Sequence, residues 1–464
     1  MPEGAADPVA AADPATAAGP VAAADPVAAA ATEVIGGPRG RHAAPGPAWP
    51  VVAAVLAALA AIPVAFGVLL RVPCLRTNWT GEGQFWNACY SDLPNAYRNG
   101  GLSAGLGAFL QGAQGAPTTG QPPLTGLALT AIASLVPSAE RAGSRVAWYF
   151  ALWAVVLTLL LLVVVWLVAS SSRRPWAAAH VALAPVVALV GFVSADLLGV
   201  ALASAGMWAW GRRRPGVAGI LLGLAVSARS YPVLIIIAIG LLAVRSGRLR
   251  EFGRTASHAL GAVALVYGGL WLLHPEAARS SLEGWATATA GYGSPWLLPQ
   301  LAGHPWPNVV VTALAVAGWV VAVLVGAVLA LSSARRPTVA EVSLVMVGIV
   351  LVTGKSFTVQ SSLWLVPLVA WCLVQWRDHL IWAGAEALNF VAVWLAIAAT
   401  KVPDRGLPNP WYAFFSMLRV LAVLWLVAVV WLRARERWTR SAGEVDDLAG
   451  PMTDAEDQLI LRFT

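Results

Sequence analysis

The chain has 464 residues, of which 58% are hydrophobic and only 11% charged; its net charge is +7 and its mean hydropathy +0.71. A soluble domain carries about 25% charged residues, so this chain lacks the polar surface that a water-soluble protein needs. Basicity alone would admit nucleic acid as a partner, but no basic stripe lies on a polar domain, and the arginines sit between hydrophobic runs, where topology selection puts them.

Residues 1–47 are rich in Ala and Pro, with "AADPVA"-type repeats and no apolar periodicity. They read as a disordered cytoplasmic tail, and not as a signal peptide, since the first hydrophobic run comes too late. Twelve hydrophobic runs follow, at 48–70, 147–169, 176–193, 196–211, 215–228, 231–244, 255–273, 307–331, 338–353, 361–375, 379–399 and 411–432. Several are shorter than the ~20 residues needed to cross a hydrocarbon core. Such brevity is tolerated where the backbone lines a cavity buried in protein. The expected fold is therefore all-α: a polytopic transmembrane bundle of about 12 spans over 48–435. A charged cytoplasmic tail at 436–464 completes the expected domain organisation.

Arginine placement sets the expected topology. Arg173-Arg174, Arg212-Arg213-Arg214, "RSGRLREFGR" from Arg245, Arg335-Arg336, Arg377 and the cluster after Arg433 all fall on one side if twelve runs cross. Positive-inside makes that side cytoplasmic, together with both termini. The count requires "PPLTGLALTAIASLVP" (122–137) to lie at the interface without crossing. The outer side then carries 71–145, 274–305, "GKSFTVQSS" and "TKVPDRGLPNP".

Chemistry is expected on that outer side. Asp92, in "ACYSDLPNAY", is a carboxylate just past the first run, where partial desolvation suits it to a general base. The competing reading is an Asx-turn or helix cap before Leu93-Pro94. Arg229, in "SARSYPVLI", interrupts two apolar runs and can hold a phosphate by paired hydrogen bonds, or snorkel to the interface. Lys355 is one of only two lysines and offers a second cation for an anionic headgroup, with a plain interface lysine as the alternative. Its "GKS" lacks the upstream glycine of a nucleotide-binding loop. Asp196 opens "ADLLGVAL", where N-capping is the simple explanation. Glu386 and Arg419 lie deep in their runs and most simply make a structural ion pair. Gly219 and Gly223 form a small-xxx-small pair suited to close helix packing. Cys74 and Cys89 flank a short outer loop, either as a disulfide worth roughly 3 kcal/mol or as two free thiols. The histidines show no metal-ligand spacing.

"CYSDLPNAYRNGGL", "PPLTGLAL", "ADLLGVAL", "GLAVSARSYPVL" and "FTVQSSLWLVPLVAW", in this order, resemble polyprenyl-phosphate-dependent membrane mannosyltransferases of actinobacteria, the glycosyltransferase family 87 type within the GT-C superfamily. The resemblance covers roughly residues 48 to 435. It implies a GT-C-like bundle with juxtamembrane helices in the first outer loop. The implied activity is inverting transfer of a sugar, mannose or a pentose, from a polyprenyl-phosphate-linked donor to a glycolipid or glycan acceptor of the cell envelope. The implied location is the outer face of the plasma (inner) membrane, among membrane lipids and without nucleic acid. Carried over, Asp92 is the general base, Arg229 is the basic residue before Tyr-Pro, and Gln360, followed by Trp364, is the Gln of the late loop. By their chemistry Arg229 and Lys355 suit the donor phosphate, and Tyr90, Asp196, Gln360 and Trp364 are expected to line the cavity. The site could work with protein cations alone, and a divalent metal is compatible with it. The chain departs from the pattern at Gln121-Pro122-Pro123 and at Thr358-Val359-Gln360-Ser361. The rival classes are a transporter or flippase of lipid-linked intermediates, which needs the cavity but no base, and a non-catalytic envelope-assembly protein.

Overall fold

The computed structural model describes residues 47–112, 118–138, 141–402, 405–436 and 446–461. The expected tail at 1–47 falls outside them but for its last residue. Among the described residues every regular element is helical and there is no strand. In chain order, the helices used below are α1 (Trp49–Leu69), α2 (Asp92–Asn99), α3 (Pro123–Ala133), α4 (Ala142–Ser171), α5 (Pro185–Val190), α6 (Asp196–Gly211) and α7 (Pro215–Ala228). They continue as α8 (Pro232–Arg245), α9 (Leu249–Leu273), α10 (Pro275–Thr287), α11 (Asn308–Ser332), α12 (Val339–Thr353), α13 (Trp376–Lys401) and α14 (Asn409–Arg435).

Six of these, α1, α4, α9, α11, α13 and α14, are long and apolar enough to cross a membrane, which makes this a multi-pass membrane protein. The expected count of about twelve spans is not reproduced at that length. The other runs form helices too short to cross alone, and proline sets the register of most of them: Pro123, Pro185, Pro215 and Pro232 stand at the first positions of α3, α5, α7 and α8. A proline is tolerated there because its missing N–H would have no partner in the first turn. Composition could not separate the two classes, because a short helix buried in protein is as apolar as a span. In α12, every residue from Val339 to Val352 is buried.

The interhelical arginines gather at one end of the bundle, and residues 446–461 run across it. Asp447 pairs with Arg173 at 3.6 Å, Asp454 with Arg213, and Asp457 with both Arg245 and Arg336 at 2.7 Å. Leu448 and Met452 are buried beneath this acidic segment. What reads as part of a charged tail is therefore docked on four separate linkers. Because Gly211 lies against Asp447 and Leu448, the other end of α6, at Asp196, is about 22 Å away by helical rise. That far end carries the polar residues.

Close helix contact holds the short helices in place. Gly219 and Gly223 of α7 face α9, where a Cβ would come within 2.3 Å of the Thr255 carbonyl oxygen and 2.4 Å of that of Ala259. Gly219→Ala and Gly223→Ala should each destabilise the protein by about 1–3 kcal/mol through overpacking. Gly261→Ala, on α9 but with open space around it, should not. Thermal unfolding of the purified protein in detergent measures the difference.

Candidate functional site

The loop after α1 is built to present one carboxylate. Cys74 and Cys89 are joined in a disulfide, with their Cα atoms 5.7 Å apart. Inside the closed loop Trp79 is fully buried, and its indole N–H donates to the Cys89 carbonyl at 3.2 Å. Arg98 of α2 donates back to the carbonyls of Asn78 and Trp79 at 2.9 and 3.0 Å. Ser91 caps α2 by accepting from the Leu93 N–H, while its hydroxyl bonds to the Phe192 carbonyl at 2.9 Å. The Asp92 N–H donates to the Val193 carbonyl at 2.7 Å. The cap that sequence assigns to Asp92 is thus made by its neighbour Ser91, and the Asp92 carboxyl is free to face a cavity.

That cavity, of about 70 Å³, is lined by Asp92, Gln121, Thr125, Ser194, Arg229 and Gln360, among others. Arg229 follows the last residue of α7 in extended conformation, which turns its guanidinium toward the start of α6. It meets Asp196 with two parallel bonds, Nε to Oδ1 at 2.8 Å and Nη2 to Oδ2 at 2.9 Å. This fork-on-fork pairing fixes both groups in direction as well as distance. Nη1 is shared among Gln121 and Thr125, each at 3.2 Å, and the Ala228 carbonyl at 2.9 Å. Asp196 also accepts from the Ser194 hydroxyl at 2.5 Å and from the Trp364 indole at 2.9 Å. It is not a helix cap, since its carboxylate is spent on side chains and not on the backbone of α6.

Asp92 has weaker company. It accepts from the Gln360 amide at 3.3 Å and from the Tyr90 hydroxyl. Tyr90 itself packs against Phe85 and Trp394, with ring centroids 5.6 and 4.8 Å apart. Burial pushes the Asp92 carboxyl up to about 6, helped by the neighbouring Asp196 charge and opposed by the Tyr90 hydrogen bond and by Arg229.

Asp92, Arg229 and Gln360 therefore share one cavity. Asp196 stands behind its wall, holding Arg229 and held in turn by Trp364, and Tyr90 supports Asp92 from the side. Lys355 is elsewhere. Its ammonium donates to the carbonyls of Trp285, Ala286 and Ala288 at the end of α10, at 2.8, 3.2 and 3.0 Å, and lies over the Trp285 ring. A cation at a helix C-terminus satisfies carbonyls left without an intrahelical partner, so this lysine ties α10 to the chain after α12. Glu386 and Arg419 form the expected ion pair at 2.7 Å, buried between α13 and α14. Thr125 and Ser194 line the cavity without having been singled out by sequence. Small neutral side chains carry no signal of their own in an apolar chain; only the fold reveals them.

Among the described residues no group of three or more His, Cys, Asp or Glu side chains is arranged to hold a metal ion. Comparison with curated proteins and with solved structures finds no match. Comparison with protein families finds glycosyltransferase family 87 over residues 121–356. The matched half of the chain carries Gln121, Asp196 and Arg229; Gln360 lies just past its end, and Asp92 lies well before its start, outside the match. A sugar donor, an acceptor and a membrane setting follow from that match and from the six long apolar helices: the chain belongs to glycosyltransferase family 87.

Proposed function

We propose that the protein transfers a sugar, mannose in the first instance, from a polyprenyl-phosphate donor to an envelope glycolipid or glycan, with inversion, in a GT-C-like fold. The observation that carries this reading is the convergence of Asp92, Arg229 and Gln360 on one cavity at the end of the bundle away from the arginine linkers. Asp92 takes the proton of the acceptor hydroxyl as its oxygen bonds to the anomeric carbon. The bond from that carbon to the phosphate oxygen breaks, and polyprenyl phosphate departs with the electron pair. Two carboxylates against one guanidinium leave the cavity without surplus positive charge. The phosphate is therefore received by directed N–H donors. Of the five N–H groups of a guanidinium, Asp196 takes one on Nε and one on Nη2, and local acceptors share those of Nη1. This leaves the second Nη2 hydrogen for the leaving group. Lys355 has no part in this reading.

The cavity faces outward. Positive linkers stay on the cytoplasmic side, and the Cys74–Cys89 disulfide shares the cavity's end, in keeping with an oxidising compartment.

Asp92→Asn should reduce transfer from polyprenyl-phosphate-mannose by about 10²–10⁴-fold, the usual contribution of a general base, while the purified protein keeps its fold and donor binding. Retained transfer refutes the base assignment. Transport of the donor without transfer by the wild type identifies a transporter instead.

The acid limb follows from the raised pKa of Asp92. The base must be ionised, so kcat/KM should fall about tenfold per pH unit below its pKa, with the bend at about 6, and level off above it. A bend near 4, the ordinary carboxylate value, would show that the base is not a carboxyl raised by burial.

Orientation is checked in a Cys372→Ser background. A membrane-impermeant maleimide added to whole cells should label Ser103→Cys and spare Gly253→Cys, both exposed in the structure.

A further inference from the structure

The Glu386–Arg419 pair does more than join two helices. Both side chains are buried, 3% and 0% exposed, at a separation of 2.7 Å. A buried ion pair adds little net stability over an apolar pair of the same size, so its value lies in the geometry that it imposes. All the remaining bonds of Arg419 go to one stretch, residues 357–362. They run to the Phe357 carbonyl, to the Thr358 carbonyl at 2.9 Å and to the Ser362 hydroxyl at 2.7 Å. The guanidinium also lies over the Phe357 ring, 3.4 Å from its centroid. Glu386 is held in turn by the Trp382 indole at 3.0 Å.

The turn that begins in this stretch (Val359–Trp364) supplies both carboxylates of the site with N–H donors: Gln360 reaches Asp92 at 3.3 Å, and Trp364 reaches Asp196 at 2.9 Å. The Gln360 bond is already at the long limit for an N–H···O contact, so a displacement of a few tenths of an ångström loses it.

We propose that Glu386 and Arg419 are positioning residues for the reaction: they fix residues 357–362 so that Gln360 donates to Asp92 and Trp364 to Asp196. The inference rests on the reading of Asp92 as the base, but its test is made on the carboxyl itself. The charged and titratable groups facing Asp92 are Tyr90, Asp196 and Arg229. Those of α4, which packs on α2, are turned to Tyr97: Tyr149 stacks on its ring and Arg145 lies over it.

The experiment is an infrared pH titration of the protonated Asp92 carboxyl in lipid nanodiscs, identified by subtraction of Asp92→Asn. Gln360→Ala should raise the midpoint by about half a unit to one unit, because it removes a donor to the charged form. Arg419→Gln should raise it by the same amount, the double variant no further, and Arg419→Lys less. If Arg419→Gln does not fold, Ser362→Ala, which removes one of its bonds and keeps the ion pair, should give a smaller rise. A folded Arg419→Gln or Ser362→Ala with the wild-type midpoint overturns the proposal, as does a rise in the double variant equal to the sum of the singles. Transfer from polyprenyl-phosphate-mannose, measured on the same preparations, separates the two readings. A shifted midpoint with undiminished transfer in Asp92→Asn defeats the base and leaves the positioning intact. An unshifted midpoint with transfer abolished in Asp92→Asn does the reverse.

Discussion

Two carboxylates compete for one guanidinium, and the rest of the site follows from how that competition is resolved. Asp196 wins Arg229 outright, with a bidentate contact inside a buried wall. Asp92 is left with an amide and a phenol. An ion pair so completely matched is a poor electrostatic attractor, but it is a rigid one. It locks the guanidinium in place and leaves the second carboxyl poorly stabilised in its charged form, the condition under which a carboxyl titrates above its ordinary range. The division of labour between chemically identical side chains comes from their neighbours alone.

The scaffold serves that arrangement from several directions. The disulfide-closed loop delivers Asp92 through Ser91 and Val193; the break between α7 and α8 delivers Arg229; the turn after α12 delivers Gln360 and Trp364. None of the three is a regular span. Irregular backbone is tolerated only where other protein groups satisfy it, and here Ser91 serves the Phe192 carbonyl, Thr125 and Arg229 that of Ala228, and Arg419 those of Phe357 and Thr358.

Much of this could be read from the sequence because polar residues are scarce in an oily chain. Asp92, Arg229 and the Glu386–Arg419 pair stand out against the apolar background, and a costly buried charge must have a partner; Gln360, a neutral amide, is reached only through the family resemblance. The same scarcity misled at Lys355, whose rarity suggested a ligand when its ammonium closes the end of α10. Asp196 looked like a helix cap because position in a helix is visible in sequence, whereas the approach of Arg229 from 33 residues away is not. Twelve runs gave six long helices because hydropathy reports burial and cannot tell lipid from protein as the thing that buries. The cysteines were open between two states until the fold brought them together.

The acidic segment at 446–461 joins linkers that emerge after α4, α6, α8 and α11, and it is made after all of them. While the earlier helices are being made, those arginines have no carboxylate from this segment. Only when α14 has entered can the clasp close. Linkers that would otherwise be independent are thus fastened to one another by a segment made after every long helix.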